Sequence, residues 1–247
     1  MLNRLILPAL MAAALPAAAL DINSMTQEER AVFGAEVRSY LMENPQVIME
    51  AVQALENQQA QAQAQADLTL VTDHAKAIFD DGFSYVGGNP DGDITIVEFM
   101  DYQCGYCKRA YGELEKLFAA DGNVRFIIKE FPILGDQSLL ASRYVIAAKQ
   151  LEGAEAYKPL HDALMTFNGD ITLRALRRLA DTYGLDSTAI EARMDDDAVT
   201  QEISQTRALA QQLRVTGTPT FVVQDEMLRG YLPHDQLRAI IEDKRKL

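Results

Sequence analysis

Apolar side chains recur at helical spacing in two stretches near the start of the chain. The stretch 26–43 predicts one helix, with acidic residues in its first turn. Asn44 suits an N-cap and Pro45 the first position of a second helix. That helix runs into the tract 57–67, NQQAQAQAQAD, which has no apolar side chain larger than alanine. The tract therefore predicts a helix-tolerant spacer and not a core element.

These N-terminal helices carry an apolar stripe but have too little mass to bury it alone. Leu41, Ile48, Leu55 and Ala62 follow a seven-residue step, which is typical of helices that associate in a bundle. Two interpretations stay open at this point. The helices either pair with copies of themselves or fold back on the rest of the chain.

The rest of the chain alternates β-rich runs with stretches of helical periodicity. The stretch 87–93 predicts a loop, and the stretch at about 137–214 predicts four or five helices. The other predicted elements are a helix at 69–80, a strand at 94–100, a helix at 105–119, a strand at 124–129, strands at 220–223 and 227–231, and a helix at 233–246. This order predicts an α/β fold of the thioredoxin type, a parallel βαβ unit followed by a helical insertion and a ββα end.

The first residues have the layout of a secretory signal peptide. Arg4 precedes the apolar stretch 5–15, and Ala17 and Ala19 form an A-x-A cleavage site. The alternative is a retained N-terminal anchor, but the stretch is short for a membrane span. The expected division is a signal peptide at 1–19, an N-terminal helical segment and spacer at 20–66, and the main domain at 67–247. We therefore expect an oxidising compartment such as the periplasm.

Charge and size narrow the function classes. A formal net charge of −13 over 247 residues gives no basic surface for nucleic acid, so no nucleic-acid partner is expected. The chain is long enough, and at 48% apolar residues hydrophobic enough, to fold without a disulfide. This weakens the interpretation of the only two cysteines, Cys104 and Cys107, as a structural staple.

Three roles for this CGYC pair are possible. A staple that closes a four-residue loop would stabilise the fold by only roughly 2 kcal/mol. A zinc centre needs four ligands, and His74, His161 and His234 are scattered, with His161 and His234 better suited to solvated or capping positions. No resident metal is therefore expected, although two thiolates could hold Cu(I).

The third role is a redox reagent, and the position of the pair supplies a mechanism. Cys104 would sit at a helix N-terminus, where free N–H groups and the helix dipole stabilise a thiolate. Cys104 would then attack a substrate disulfide, and Cys107, one turn later, would resolve the mixed disulfide. Gly105 and Tyr106 lie between them and should tune the reduction potential. No cofactor is expected beyond the redox-active Cys104–Cys107 disulfide.

Two other features fit this role. Glu98 is predicted to face inward from one strand and Lys129 ends the next, which suggests a buried pair that relays protons from Cys107. The alternative is two solvated charges at a sheet edge. A Thr218-Pro219 dipeptide just before a strand raises the question of a cis bond, which X-Pro bonds adopt in about 5–6% of cases.

Together these residues resemble a known family. Glu98-Phe99, the CGYC motif at 104–107, Lys129, the helical insertion and Thr218-Pro219-Thr220 resemble the DsbA-like thiol-disulfide oxidoreductases of the thioredoxin superfamily. The run AVFGAEVRSYLMENPQVIMEAVQALE resembles the N-terminal region of the suppressor of copper sensitivity protein C (ScsC) family.

The resemblance implies residue roles. Pro219 would be cis and lie against Cys104, and the Thr218 backbone would pair with an extended substrate peptide. Glu98 and Lys129 would be the buried acid and base near Cys107. Together with Gly105 and Tyr106, Thr218 and Pro219 form the expected substrate-binding set.

The resemblance also implies a function, a periplasmic disulfide isomerase or reductase that acts on misfolded secreted proteins. Its implied partners are a membrane-embedded reductant and further copies of itself in a homo-trimer, with a link to copper tolerance. The best-known disulfide-forming enzymes of this superfamily have Pro-His between the cysteines, and Gly105-Tyr106 departs from that pattern. A monomeric dithiol oxidase and a Cu(I)-binding copper-tolerance protein are the alternatives.

Overall fold

The computed structural model describes residues 22–246, and the predicted signal peptide at 1–19 lies outside them. Within the described residues, a 3-10 helix, Ile22–Ser24, is followed by the α-helices α1 (Gln27–Glu43), α2 (Gln46–Asp73), α3 (Ala75–Phe79), α4 (Gly105–Ala120), α5 (Asp136–Glu152), α6 (Ala154–Thr166), α7 (Leu173–Thr182), α8 (Ser187–Arg193), α9 (Asp197–Gln212) and α10 (His234–Lys244). The strands are β1 (Tyr85–Gly88), β2 (Ile94–Met100), β3 (Val124–Glu130), β4 (Thr220–Val223) and β5 (Glu226–Arg229).

The chain divides between Gln59 and Ala60 into two compact units. The first contains α1 and the start of α2. The Thr26 hydroxyl accepts a hydrogen bond from the Glu29 N–H, and the Glu29 carboxylate accepts one from the Thr26 N–H at 2.8 Å, a capping box that begins α1. Most large apolar side chains of α1 and the start of α2 are exposed, whereas Leu41 and Val47 are half-buried. The exposed ones are Val32, Phe33, Val37, Tyr40, Met42, Ile48, Met49, Val52 and Leu55.

The glutamine-rich tract at 57–67 is helical throughout. Alanine and glutamine both favour the helix and nothing in the tract breaks it, so α2 continues to Asp73. The helix predicted at 69–80 is therefore two elements, the end of α2 and the short α3, separated at His74. Among the described residues, no helix combines the length and apolar character that a bilayer span requires.

The second unit is built on a sheet with strand order β1-β3-β2-β4-β5. Strands β2 and β3 are parallel and joined by α4, and the other pairings are antiparallel. Helices α5 to α9 lie between β3 and β4 in the chain. This arrangement confirms the predicted α/β fold with its βαβ unit, helical insertion and ββα end.

The edge strand β1 was not predicted, because Gly87 and Gly88 made this stretch look like a loop. Gly88 has a φ of +65°, and a Cβ at this position would lie 2.3 Å from the Val124 carbonyl oxygen. Glycine therefore allows the backbone of β1 to approach the start of β3 closely.

The sheet is buried on both faces. One face packs Ile96, Met100 and Ile128 into a large core that also contains Cys107. The opposite face packs a second cluster, which includes Val97 and the end of α2. The first face also carries the buried acidic side chains of Glu98 and Glu130, and the opposite face carries the buried Lys129.

Candidate active site

The two cysteines lie where β2 ends and α4 begins. Cys104 caps the N-terminus of α4 in an extended conformation, and Cys107 lies in the first turn of that helix. The Cys107 N–H donates a hydrogen bond to the Cys104 sulfur at 3.3 Å. Cys104 keeps 6% of its surface exposed and Cys107 keeps none, so Cys104 is the sulfur that a second molecule can reach.

The buried carboxylate of Asp101 organises the loop before α4. It accepts hydrogen bonds from the Gln103 N–H at 2.7 Å and the Ser138 hydroxyl at 2.6 Å. It also accepts from the N–H groups of Ile133 and Leu134, in the loop after β3, at 2.7 and 3.0 Å. One side chain thus ties two loops together. Sequence analysis missed it, although an acid directly after a buried strand signals a group that needs donors.

The Thr218-Pro219 peptide bond is cis, as the resemblance implies. It lies against Cys104 although 114 residues separate them: the Cys104 thiol donates to the Thr218 carbonyl oxygen at 3.2 Å. The Gly230 N–H donates to the Pro219 carbonyl oxygen at 2.9 Å and holds this loop from its other side. Thr218 and Pro219 therefore form one wall of the site.

Hydrogen bonds stabilise the Cys104 thiolate. The largest contribution comes from the Cys107 side chain, followed by the Thr218 side chain and the N–H groups of Cys107 and Tyr106. These donors outweigh the effect of burial and lower the pKa of Cys104 to about 5. Cys104 is therefore ionised and nucleophilic at neutral pH.

Cys107 and Glu98 behave in the opposite way. Burial raises the pKa of the Cys107 thiol far above its usual value, and the hydrogen bond to Cys104 and the charge of Glu98 add to this. Glu98 is 1% exposed, and its Oε1 has no hydrogen-bond partner among residues 22–246. Burial, with the charges of Cys104 and Glu130, raises the pKa of Glu98 to about 8. Glu98 is thus a buried carboxyl group that can hold a proton beside a buried thiol.

The structure does not bring Lys129 together with Glu98, so the predicted ion pair is wrong. In the β2–β3 ladder, Glu98 lies opposite Ile128 and Lys129 lies opposite Phe99. Successive side chains of a strand point to opposite faces, so the two charges lie on different sides of the sheet. Lys129 is also 1% exposed and forms a salt bridge with Asp81 at 2.5 Å. The alternative of two solvated edge charges is wrong as well.

A second buried polar cluster, also missed from the sequence, centres on Glu130. Its carboxylate accepts hydrogen bonds from the hydroxyls of Tyr102 at 2.8 Å, Tyr157 at 2.5 Å and Ser142 at 2.7 Å. The Tyr102 hydroxyl also lies 3.1 Å from Nδ1 of His161. His161 is 2% exposed, so the prediction that it is solvated or capping is wrong. The cluster joins α5, α6 and the loop before the cysteines.

The outer rim of the site is aromatic. Tyr106 is 58% exposed, and its ring lies 6.5 Å from that of Tyr231. The Arg109 guanidinium lies over the Tyr106 ring at 5.5 Å. A Cβ at Gly105 would meet no atom within 4 Å. The two residues between the cysteines therefore face outward, where they can contact another molecule.

The geometry combines an ionised accessible sulfur and a protonated buried sulfur one turn away, with a buried carboxyl group near both. An attacking sulfur and a resolving sulfur are the parts that thiol-disulfide exchange requires. Within 22–246, no group of three or more His, Cys, Asp or Glu side chains is arranged to hold a metal ion.

Two family models match the chain. Residues 95–242 match the DSBA-like thioredoxin domain, and residues 29–62 match the copper resistance protein ScsC N-terminal domain. The first match covers the cysteines, the helical insertion and the cis proline. The second covers most of the exposed apolar helices of the first unit.

Solved structures of proteins with related descriptions are similar to this chain. A thioredoxin-like oxidoreductase from Silicibacter pomeroyi is 41% identical, with a TM-score of 0.65 over 70% of this chain and 98% of that one. ScsC of Proteus mirabilis in a transitional conformation is 26% identical, with a TM-score of 0.66 over 92% of this chain and all of that one.

A curated relative, disulfide bond formation protein D of Bacillus subtilis, is 25% identical over 171 residues, 64% of this chain and 76% of that protein. The chain also matches longer curated proteins described as Na⁺/H⁺ antiporters, of which it spans only 24–28% of the length. With its cysteine pair, cis proline and interrupted sheet, the chain belongs to the DsbA-like thioredoxin family.

Proposed function

We propose that the protein is a periplasmic disulfide isomerase or reductase that acts on misfolded secreted proteins. The observation that carries this proposal is the position of Cys104, accessible at the N-terminus of α4, with the fully buried Cys107 one turn away. An accessible sulfur whose pKa is lowered can attack a client disulfide, and a second sulfur within reach of it can release the client.

The reaction begins with the reduced pair. The Cys104 thiolate attacks a client disulfide, forms a mixed disulfide and expels a client thiolate. In isomerisation, that thiolate attacks elsewhere in the client, and a client thiolate finally displaces Cys104 unchanged. In reduction, Cys107 attacks Cys104, which forms the Cys104–Cys107 disulfide, and the Cys107 proton passes to the departing client thiolate as the reduced client is released. A membrane-embedded thiol-disulfide reductant would then return the pair to the dithiol.

The cis-proline wall is the proposed client contact. The Thr218 carbonyl oxygen accepts from the Cys104 thiol, and it becomes free for a client N–H once Cys104 is a thiolate or part of a mixed disulfide. Pro219 offers an apolar surface next to it. Gly105 and Tyr106 would contact the client from the outer rim, where Tyr106 is largely exposed.

We further propose that the first unit makes the protein a homo-oligomer, a trimer in our hypothesis. Its support is the set of exposed apolar side chains on α1 and the start of α2, which includes Phe33, Val37 and Ile48. Several Cys104 sites on one oligomer would raise the local thiol concentration around a bound client.

The test is refolding of scrambled ribonuclease by the pre-reduced mature protein without added oxidant. Full-length protein is compared with a form that begins at Ala60, so that Asp67 keeps its hydrogen bonds to Arg229. Light scattering sizes both forms. We expect an oligomeric full chain that restores activity and a monomeric truncated form that does not. Failure of both, with rapid disulfide formation in a reduced substrate by the oxidised protein, would instead indicate a dithiol oxidase.

Copper binding is the competing function, and the ScsC N-terminal match motivates it. The two adjacent sulfurs suit Cu(I), a soft ion. A Cu(I) ion held by both sulfurs would block exchange. Stoichiometric Cu(I) retention against a competing chelator, together with no catalytic turnover, would therefore replace the isomerase proposal.

A further inference from the structure

The Arg109 guanidinium is a cation at the outer rim of the site that no carboxylate neutralises. Arg109 is exposed on α4, and its guanidinium lies 5.5 Å from the centroid of the Tyr106 ring. Within residues 22–246 this ring is the contact that its side chain makes, and no Asp or Glu side chain forms an ion pair with it. The ring holds the charge in place without cancelling it.

Neighbouring groups on α4 explain why Arg109 stays unpaired. Glu113 follows Arg109 by four residues on this helix, a spacing at which an acid and an arginine can pair. The Glu113 carboxylate instead accepts hydrogen bonds from the Lys116 ammonium at 2.9 Å and from the His234 N–H at 3.0 Å. The acid one turn away is therefore occupied, and Arg109 remains available to another molecule.

The charge of the whole chain acts in the opposite sense to Arg109. The chain carries 23 Lys and Arg against 36 Asp and Glu, a formal net charge of −13. Over a long range, such a protein attracts basic clients and repels acidic ones. A preference for acidic clients would therefore reveal a local cation and not the net charge.

Arg109 lies at the end of a surface that begins at the cis-proline wall. The Gly230 N–H donates to the Pro219 carbonyl oxygen, and Tyr231 follows Gly230 in the chain. The Tyr231 ring lies 6.5 Å from the Tyr106 ring, and the Arg109 guanidinium lies over that second ring. The surface thus runs from the proposed client contact through two aromatic rings to the guanidinium.

Helix geometry gives the distance between Arg109 and the attacking sulfur. Cys104 is the N-cap of α4, and Arg109 lies five residues later in the same helix. At about 1.5 Å per residue, this separation is roughly 7–8 Å along the helix axis. An extended peptide covers that distance in about two or three residues. A client side chain two or three residues from the attacked sulfur therefore has the right spacing to meet Arg109.

We propose that Arg109 is a specificity-determining residue, which favours client disulfides that carry an acidic side chain about two or three residues from the attacked sulfur. The inference rests on the proposed exchange reaction and names the clients that this reaction prefers. The guanidinium donates two parallel hydrogen bonds to the client carboxylate. This ion pair stabilises the encounter complex from which the Cys104 thiolate attacks, and the exchange chemistry itself stays the same.

The experiment compares three peptides that differ in charge beside the attacked sulfur. Each has one cysteine, activated as a neutral pyridyl disulfide, and carries glutamate, glutamine or lysine two and three residues from the cysteine on both sides. The reduced full-length protein attacks the peptide, and the absorbance of the released pyridinethione gives the rate. Each rate is divided by that of the same peptide with 2-mercaptoethanol, which corrects for the intrinsic reactivity of its disulfide.

Three variants accompany the wild-type protein. Arg109→Gln removes the charge, and Arg109→Lys keeps the charge but loses the planar pair of donors. Arg178→Gln is the matched control, because Arg178 is an exposed arginine of α7 that also forms no ion pair among the described residues. It changes the net charge of the protein by the same amount as Arg109→Gln.

We expect the wild-type protein to react about threefold faster with the glutamate peptide than with the lysine peptide at low salt. In about 1 M salt, where the Debye length is about 3 Å, this preference should shrink. Arg109→Gln should reverse it to a preference for lysine, because the net charge then acts alone. Arg109→Lys should keep part of the preference, and Arg178→Gln should match the wild type.

Equal wild-type rates, a wild-type preference for lysine, or an unchanged preference in Arg109→Gln would overturn the role of Arg109 while leaving the exchange reaction intact. Alkylation of Cys104 by iodoacetamide, a neutral reagent, separates an indirect effect. If Arg109→Gln slowed alkylation as much as it slows the glutamate peptide, Arg109 would act on the thiolate and not on the client. Failure of the wild-type protein to react with all three peptides would overturn the proposed function itself, and the specificity with it.

Discussion

Glu98 and Lys129 occupy adjacent strands, are equally buried at 1% exposure, and yet have opposite surroundings. Lys129 has a carboxylate at 2.5 Å, a carbonyl oxygen at 2.8 Å and the Phe83 ring beneath its ammonium group. One carboxyl oxygen of Glu98 has no hydrogen-bond partner in the part of the chain that the structure describes. A buried charged group that has partners supports the fold. A buried carboxyl group that lacks partners instead keeps its proton, which it can exchange.

The same contrast occurs within one face of the sheet. Glu130 lies near Glu98 and is also buried, but three hydroxyl groups donate to its carboxylate. Those donors oppose the effect of burial on the pKa of Glu130, and Glu98 has none of them. Burial alone therefore does not make a carboxyl group reactive. The absence of donors beside a cysteine distinguishes Glu98.

Removing the Lys129 ammonium should have the largest effect on stability. Lys129→Met leaves the Asp81 carboxylate buried without its cation, so we expect the free energy of unfolding to fall by about 3–5 kcal/mol. Urea denaturation of the reduced protein measures this. The double variant Lys129→Met, Asp81→Asn should recover part of the loss, and Cys104 alkylation should keep its pH profile. Lys108→Met, at a less buried lysine, is the control. If it lowered the free energy of unfolding by the same amount, the loss in Lys129→Met would not come from the unpaired Asp81 carboxylate.

Glu98→Leu should do the opposite and stabilise the reduced protein. In the folded protein, Glu98 keeps its proton up to about pH 8, whereas its ordinary pKa is 4.5. Between these values the unfolded chain binds fewer protons, so the stability falls by about 1.4 kcal/mol per pH unit as the pH rises. By pH 7 this penalty is about 3 kcal/mol, and Glu98→Leu should remove it.

The measurement is the urea midpoint at several pH values from 4 to 8. The wild-type midpoint should fall with rising pH more steeply than that of Glu98→Leu. Parallel curves would show that the Glu98 pKa is not raised in the folded protein.

Thr218→Ala should have a smaller effect, confined to Cys104. Loss of the Thr218 side-chain hydrogen bond removes about 1.5 kcal/mol from the thiolate, so its pKa should rise by about one unit from its value of about 5. Thiolate absorbance as a function of pH reports this pKa. Thr220→Ala, at the next threonine along the chain, is the matched control. Equal shifts in both variants would indicate a general distortion of the loop.

Tyr102→Phe should have the smallest effect. It removes one of the donors to Glu130 and should lower the free energy of unfolding by about 1 kcal/mol. The loss of unfolding free energy should grow at pH values above the pKa of Glu130, because the ionised carboxylate then lacks one of its hydrogen-bond donors. A pH-independent loss would mean that Glu130 stays protonated and that packing accounts for the change.

Local sequence patterns predicted much of this molecule. The CxxC motif between an apolar strand and an amphipathic helix indicated a thiolate at a helix N-terminus, and the structure has Cys104 as the N-cap of α4. The apolar stripe at 26–55 indicated helices with little to bury them, and those side chains are exposed. Such features depend on residues close in sequence, whose periodicity is visible in the chain itself.

Tertiary structure decided the partners of the buried charges. Lys129 pairs with Asp81 and not with Glu98 because the β2–β3 register places Lys129 and Glu98 on opposite faces, and a shift by one residue would reverse this. Strand β1 exists because β3 provides its hydrogen bonds, which outweigh the turn preference of its glycines. The sequence by itself determined which sulfur lies at the helix N-terminus. The chain's long-range contacts decided which carboxyl group stays unpaired beside the other sulfur, because burial and pairing depend on residues distant in sequence.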